Sequence, residues 1–151
     1  MATVTIQRTI AAPIADVFDW LSTATNYTKS PMIFRASLAK PGDDGAFGNG
    51  AIREVLTGVG RFHEVISNHQ PPHAFDYLIL DSTVPLIHRA GQMRFNEAAG
   101  GTEVTWTSVF DVPSPVAATA LGKALVPIAR FGFGSVLRAA DRDLTHLRSR
   151  A

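Results

Sequence analysis

Between Ala51 and Val112 the chain repeats one signal five times: a short stretch of apolar and polar residues with strand character, ended by glycine or proline. The first such stretch runs to Thr57 and stops at Gly58-Val59, and the second runs to Asn68 and stops at Pro71-Pro72. The third covers Ala74 to Leu80. Two longer ones, about Leu86 to Glu97 and Thr102 to Val112, flank Ala98-Ala99-Gly100-Gly101. Strands joined this closely pair with their neighbours antiparallel, because a parallel pair needs a crossover of a dozen or more residues.

What flanks the run completes the fold class. Val4, Ile6 and Ile10 alternate with Thr3, Thr5, Gln7 and Thr9, a strand with one wet face. Pro13 then opens a short amphipathic helix in which Ile14, Val17, Phe18 and Leu21 share a face and Asp16 complements the positive helix end. Thr23 to Pro31 reads as a helical turn leading into a strand over Ile33 to Ala39, and Lys40-Pro41-Gly42-Asp43-Asp44-Gly45 breaks the chain. After Pro113 and Pro115 the remainder is helical, with Phe133, Leu137, Ala140, Leu144 and Leu147 on one stripe. Strands in a run closed by helices make an α+β fold, not a doubly wound one. Neither repeat nor linker divides residues 1–151, so one domain is expected.

Composition excludes several function classes. With 46% hydrophobic residues the chain can bury a full core, and its net charge of +1, with basic residues scattered, offers no footprint for nucleic acid. Having no cysteine, it lacks disulfides, thiolate chemistry and cysteine-based zinc motifs. Val116 to Ala140 is interrupted by Lys123, Pro127, Arg130 and Arg138, so it reads as a buried helix and no membrane span is expected. A strand pattern from the first residues, in place of a leader, makes the cytoplasm the expected location.

The two hairpins set registers by counting. If Gly58-Val59 is a two-residue turn, Thr57 pairs with Gly60, Val55 with Phe62 and Arg53 with Glu64. Either these residues face inward with Ile66, making Arg53–Glu64 a pocket ion pair, or Ile52, Leu56 and Val65 do, leaving that pair in solvent. Across the second hairpin, a four-residue loop pairs Phe95 with Val104, Met93 with Trp106, Gly91 with Ser108 and Arg89 with Phe110. This apolar face needs a cover, and the C-terminal helix provides it. Small and polar members of the face, Gly91, Ser108 and Arg89, fit a ligand cavity better than a solid core. Gly132, Gly134 and Pro127 weaken the covering helix, either for the cavity's sake or to allow close helix–sheet packing.

The opening strand, the Ala12-Pro13-Ile14-Ala15-Asp16-Val17-Phe18 run with Leu21, Gly50-Ala51-Ile52-Arg53-Glu54-Val55, Glu64-Val65-Ile66, Gly100-Gly101-Thr102-Glu103-Val104-Thr105-Trp106 and the terminal helix together resemble the START-like, or SRPBCC, superfamily of polyketide cyclase/dehydrase-like proteins. The resemblance covers essentially the whole chain. It implies a helix-grip fold: a curved seven-stranded antiparallel sheet around a long C-terminal helix, two short helices after strand one, and a deep cavity between sheet and helix. It also favours inward Arg53 and Glu64, and places Trp106, Ser108 and Phe110 on the cavity wall with Phe133 and Leu137 opposite. His88 falls where relatives carry a polar residue near the mouth, although alternation puts it opposite in phase to Arg89; a bulge near Gly91 would reconcile the two. Arg35 matches a basic position in one branch, yet its alternation with Phe34, Ala36 and Leu38 points it outward. Many relatives have a tryptophan soon after the position of Asn26-Tyr27, where this chain has Thr28-Lys29-Ser30-Pro31.

The expected ligand site is therefore Arg53, Val55, Phe62, Glu64, Tyr77, His88, Arg89, Met93, Trp106, Ser108, Phe110, Phe133 and Leu137, around a small hydrophobic molecule: a lipid, a sterol-like compound or an aromatic polyketide. Glu64, His88 and Arg53 are the candidates for chemistry, with Glu64 or His88 moving a proton and Arg53 stabilising an enolate. Tyr77 is left in either phase. The fingerprints of hydrolases, metalloproteases, nucleotide triphosphatases and dinucleotide enzymes are missing, so no cofactor is expected. His69 and His73, separated by Pro71-Pro72, read as loop histidines and not as a metal pair. A protein-interaction module is the third function class, and would need an open apolar groove.

Overall fold

The computed structural model describes residues 1–113 and 118–150. Pro115 and Val116, and the side chain of Leu147, lie outside the described residues. Strand β1 (Ala2–Ile10) leads into helix α1 (Ile14–Ser22) and a 3-10 helix over Ala24–Lys29. Strands β2 (Ile33–Lys40), β3 (Ile52–Thr57), β4 (Arg61–Gln70), β5 (Ala74–Ser82), β6 (Ile87–Ala98) and β7 (Gly101–Asp111) follow, and helix α2 (Ala118–Arg150) closes the order. The seven strands form one antiparallel sheet in the order β1-β7-β6-β5-β4-β3-β2. Apart from the closure of β1 onto β7, each strand lies beside its neighbour in sequence, as the short connections require.

Local chemistry explains the boundaries. Pro13 caps α1, its carbonyl accepting from the Asp16 and Val17 amides, and Asp16 sits in the first turn. The β6–β7 hairpin is tighter than expected, with Ala98 already paired to Gly101. Gly100 has φ of 85° and Gly101 of 147°, and a Cβ on Gly101 would come within 2.0 Å of the Ile10 carbonyl oxygen. Only glycine accommodates both the backbone geometry and that approach.

Helix α2 has two unlike halves. Its C-terminal half buries Val136, Leu137, Ala139, Ala140 and Leu144. Ser30 and Ser135 share a hydrogen bond of 2.6 Å, Arg8 pairs with Asp141, and Trp20 and Lys29 both reach Asp143. Its N-terminal half carries Pro127 and exposes Leu121, Ile128 and Phe131. Residues Ala120–His146 are long and apolar enough to cross a membrane by length and composition alone, in contrast to the sequence expectation. The buried, tethered half identifies α2 as a core helix gripped by the sheet.

Candidate functional site

The β3–β4 hairpin places the first polar pair. The Thr57 amide donates to the Gly60 carbonyl at 2.8 Å, and the Thr57 hydroxyl accepts from the Val59 and Gly60 amides. The register that results pairs Val55 with Phe62 and Arg53 with Glu64. Arg53 and Val55 are buried while Ile52 and Leu56 are not, so the hairpin's ion pair faces inward. Arg53 is 1% exposed; its Nε donates to Glu64 Oε1 at 2.8 Å and its Nη1 to the Tyr27 hydroxyl at 3.4 Å. The rings of Tyr27, Phe75 and Tyr77 lie 5.3–5.7 Å from the guanidinium carbon. Burial opposes the charge on Arg53, but the Tyr27 oxygen and the Glu64 carboxylate outweigh it and hold the guanidinium protonated.

Tyr27, the direct partner of Arg53, is among the residues that sequence reasoning missed. It lies in the 3-10 helix, 3% exposed, and donates its hydroxyl proton to the Leu21 carbonyl at 2.6 Å while accepting from Arg53. The available signal was a lone tyrosine in the polar stretch Thr23–Pro31, opposite an arginine that needed a second acceptor.

A recess of about 160 Å³ opens beside this pair, between the sheet and the N-terminal half of α2. Its floor includes Arg53, Val55, Phe62, Glu64 and Tyr77 from the strands the first hairpin anchors, and its far wall His88, Trp106, Ser108 and Phe110. Leu125, Ile128, Ala129, Gly132 and Phe133 of α2 cover it, and Val59 and Val84, between strands, also line it. Phe133 stacks on Trp106 with ring centroids 4.2 Å apart and planes 6° from parallel.

Three expected members of the site lie elsewhere. Arg89 is on the outer face, its side chain 53% exposed and paired with Asp111 at 2.8 Å. The cause is a bulge at Arg89: His88 pairs with Phe110 and Ala90 with Val109, so one extra residue turns His88 inward and Arg89 out. Met93, 0% exposed, and Leu137, 1% exposed, belong to the packed core beyond the recess, because α2 has closed onto the sheet there. Gly91 also departs from expectation. The Tyr77 ring lies on it, so close that a Cβ would sit 2.4 Å from the ring carbon bearing the hydroxyl. Its small size makes room for a tyrosine, not for a ligand. Tyr77 points inward at 3% exposure, whereas Leu78 and Leu80 face out.

Arg35 is exposed as alternation implies, but so is Phe34, because β2 shifts register between Ile33 and Arg35. His69 lies within β4, its ring 5.4 Å from that of Phe18, and His73 lies in the turn after it. Among the described residues, no group of three metal-ligating side chains converges.

Directed hydrogen bonds order the far wall. The Ile79 amide donates to His88 Nδ1 at 3.0 Å, so the neutral ring carries its proton on Nε2, which donates to the Ser108 hydroxyl at 2.9 Å. Trp106 Nε1 donates to the Tyr77 hydroxyl at 2.8 Å, and the Tyr77 and His88 rings stack at 5.3 Å. Burial pushes His88 down to about 4 from its ordinary 6.5, so it is neutral at physiological pH. Burial also raises the Tyr77 phenol, with the nearby Glu64 carboxylate adding to the effect.

Residues 1–147 match the family described as polyketide cyclase / dehydrase and lipid transport. No curated protein matches the sequence. Among solved structures, a protein of Thermus thermophilus is similar at TM-score 0.79 and 13% identity, covering 96% of this chain and 98% of that one. The protein XoxI of Bacillus cereus is similar at 0.75 and 15%, covering 98% and 99%. A START superfamily protein of Mycobacterium smegmatis is similar at 0.74 and 14%, covering 97% and 99%. At these identities the likeness is one of fold.

Proposed function

Because the chain belongs to the polyketide cyclase / dehydrase and lipid transport family, we propose that it binds a small hydrophobic molecule in the recess between the sheet and α2. The observation that carries this reading is a buried, hydrogen-bonded Arg53–Glu64 pair at one side of a recess walled mostly by aliphatic and aromatic groups, with few other polar side chains. An apolar site with few fixed polar groups is the usual form of a small-molecule site. Its volume favours a compact guest. A cavity of about 150 Å³ suits a benzene-sized molecule, whereas drug-sized ligands occupy roughly 300–1,000 Å³. A one- or two-ring aromatic compound fits this space better than a sterol or a diacyl lipid.

The α2 glycines support the same reading. A Cβ on Gly132 would meet nothing within 4 Å, and one on Gly134 would meet only the side chain of Arg138 as its nearest neighbour. Close helix–sheet packing therefore does not explain them. At Gly132, which lines the recess, the missing side chain is open space.

Native mass spectrometry of the purified protein, followed by denaturing extraction, tests the proposal. A stoichiometric apolar passenger is the expected result. An empty protein that also fails to bind a panel of apolar fluorescent probes would overturn it.

A cyclase or dehydrase is the second reading, favoured by Glu64 lying on the recess beside a charged Arg53 that could stabilise an enolate. Both ring nitrogens of His88 are engaged within the fold, which leaves Glu64 as the proton-moving group. Glu64→Gln separates the readings: a carrier keeps most of its affinity, whereas a cyclase still binds but no longer turns over.

A further inference from the structure

The far wall of the recess has one donor too many. Trp106 Nε1–H can only donate, and it donates to the Tyr77 oxygen. With Nδ1 of His88 taken by the Ile79 amide, Nε2–H likewise donates to the Ser108 oxygen. Each hydroxyl oxygen therefore already accepts one hydrogen bond, and each still owns a proton. Even if one of their protons bridged them, the other would have no acceptor among these four residues, because both His88 nitrogens are used and indole has no acceptor at all. Both residues line the recess. Arg53, by contrast, is directed at Glu64 and Tyr27.

We propose that Tyr77 and Ser108 form a hydrogen-bond-donating subsite that seats the carbonyl oxygen of a small aromatic ketone or similar carbonyl compound. The subsite rests on the reading of the recess as a binding site, and deepens it by naming the polar group of the guest. A hydroxyl proton facing a mostly apolar recess can be taken by an acceptor oxygen on the guest, which a hydrocarbon of the same shape does not offer. The Tyr77 ring lies flat on Gly91 and stacks on His88, so its hydroxyl is held in place before a guest arrives. Neutral His88 and the phenol, whose proton burial retains, keep the donor count constant across the physiological range.

The test uses two probes of nearly equal shape, acetophenone and α-methylstyrene, in which C=O replaces C=CH2. Affinities are measured by NMR titration, corrected for each probe's water-to-hydrocarbon transfer, and the carbonyl stretch of bound acetophenone is read by infrared difference spectroscopy. We expect a corrected preference of at least about tenfold for the ketone, since the correction already removes the carbonyl's cost of leaving water, with a carbonyl stretch shifted to lower wavenumber. Tyr77→Phe and Ser108→Ala, each checked for folding by circular dichroism, should each shrink the preference for the ketone and reduce the shift of its carbonyl stretch. Equal corrected affinities with an unshifted stretch in the unmodified protein would overturn the subsite while leaving the apolar recess intact. That arm needs no variant to fold. Binding of neither probe would overturn the recess as a site for guests of this class, and the subsite with it.

Discussion

Near α1, Phe18, Phe75 and Phe95 meet edge-on or tilted at 5.1–6.1 Å, with Met93, Val104 and Leu137 sealed among them. At the other end, under the N-terminal half of α2, side chains from the same strands stand around open space. Both ends use the inner face of one sheet and one face of one helix. At the packed end, bulky side chains from sheet and helix interdigitate and α2 is tethered through Ser135, Asp141 and Asp143. At the open end Leu125, Ile128 and Phe133 of the helix are interrupted by the small Ala129 and Gly132, and the sheet contributes polar groups bonded to one another. Close packing makes the first end a source of stability; polar pairs held without a filled interior make the second, in the function proposed above, the place for a guest.

Substitutions can break that contrast. Phe95→Ala at the packed end should cost about 3–5 kcal/mol, read by urea unfolding, because the cavity it leaves is walled by rigid neighbours. Glu64→Leu at the open end should cost about 3 kcal/mol, since it strands the Arg53 charge, and Arg53→Met in the same chain should recover most of the loss. If the single variant were neutral, the ion pair would not be a buried one.

The pH dependence of stability distinguishes the two histidine environments. His88, lowered to about 4 by burial, takes up its proton less readily when folded than when unfolded. Its contribution to stability is present above pH 6.5 and is lost as pH falls from 6.5 toward 4, and His88→Gln should remove that slope. Gly132→Ala should then add about 0.5–1 kcal/mol, because helix propensity improves and the new methyl meets nothing. Gly132→Leu should abolish probe binding without unfolding the protein.

The smallest effect belongs to the outer face. His63 donates to Asp81 at 2.8 Å and to Glu54 at 2.9 Å, and the hydrogen bond to Asp81, only partly opposed by burial, raises its pKa. Its contribution is complete below pH 6.5 and is lost as pH rises through the raised value, the reverse of His88. Being in solvent reach, it should shift the unfolding midpoint only slightly, and less at high salt.

Much of the fold is legible in the chain because its causes are local. Alternation marks β1, the turn at Gly58-Val59 sets the partner of Arg53, and Gly100-Gly101 brings Phe95 opposite Val104. The candidate site is legible only where such counting reaches it: registers pair Arg53 with Glu64, Val55 with Phe62, Met93 with Trp106 and Gly91 with Ser108, while the inward face of Arg53 and Glu64 is favoured by the family resemblance alone. Counting fails past the bulge at Arg89, where one extra residue exchanges the faces of His88 and Arg89. It also cannot find Tyr27, which meets Arg53 across 26 residues of sequence.

By itself, then, the sequence determines the antiparallel order of the strands, the hairpin registers and the apolar stripe of the closing helix, since each depends on residues a few positions apart. Where α2 meets the sheet and where it stands off was decided by the tertiary structure alone. So were the seating of the Tyr77 ring on Gly91 and the direction of the hydrogen bonds along the far wall. The physical reason is that leftover volume and the balance of donors and acceptors are properties of side chains from many elements at once, and no local pattern carries that sum.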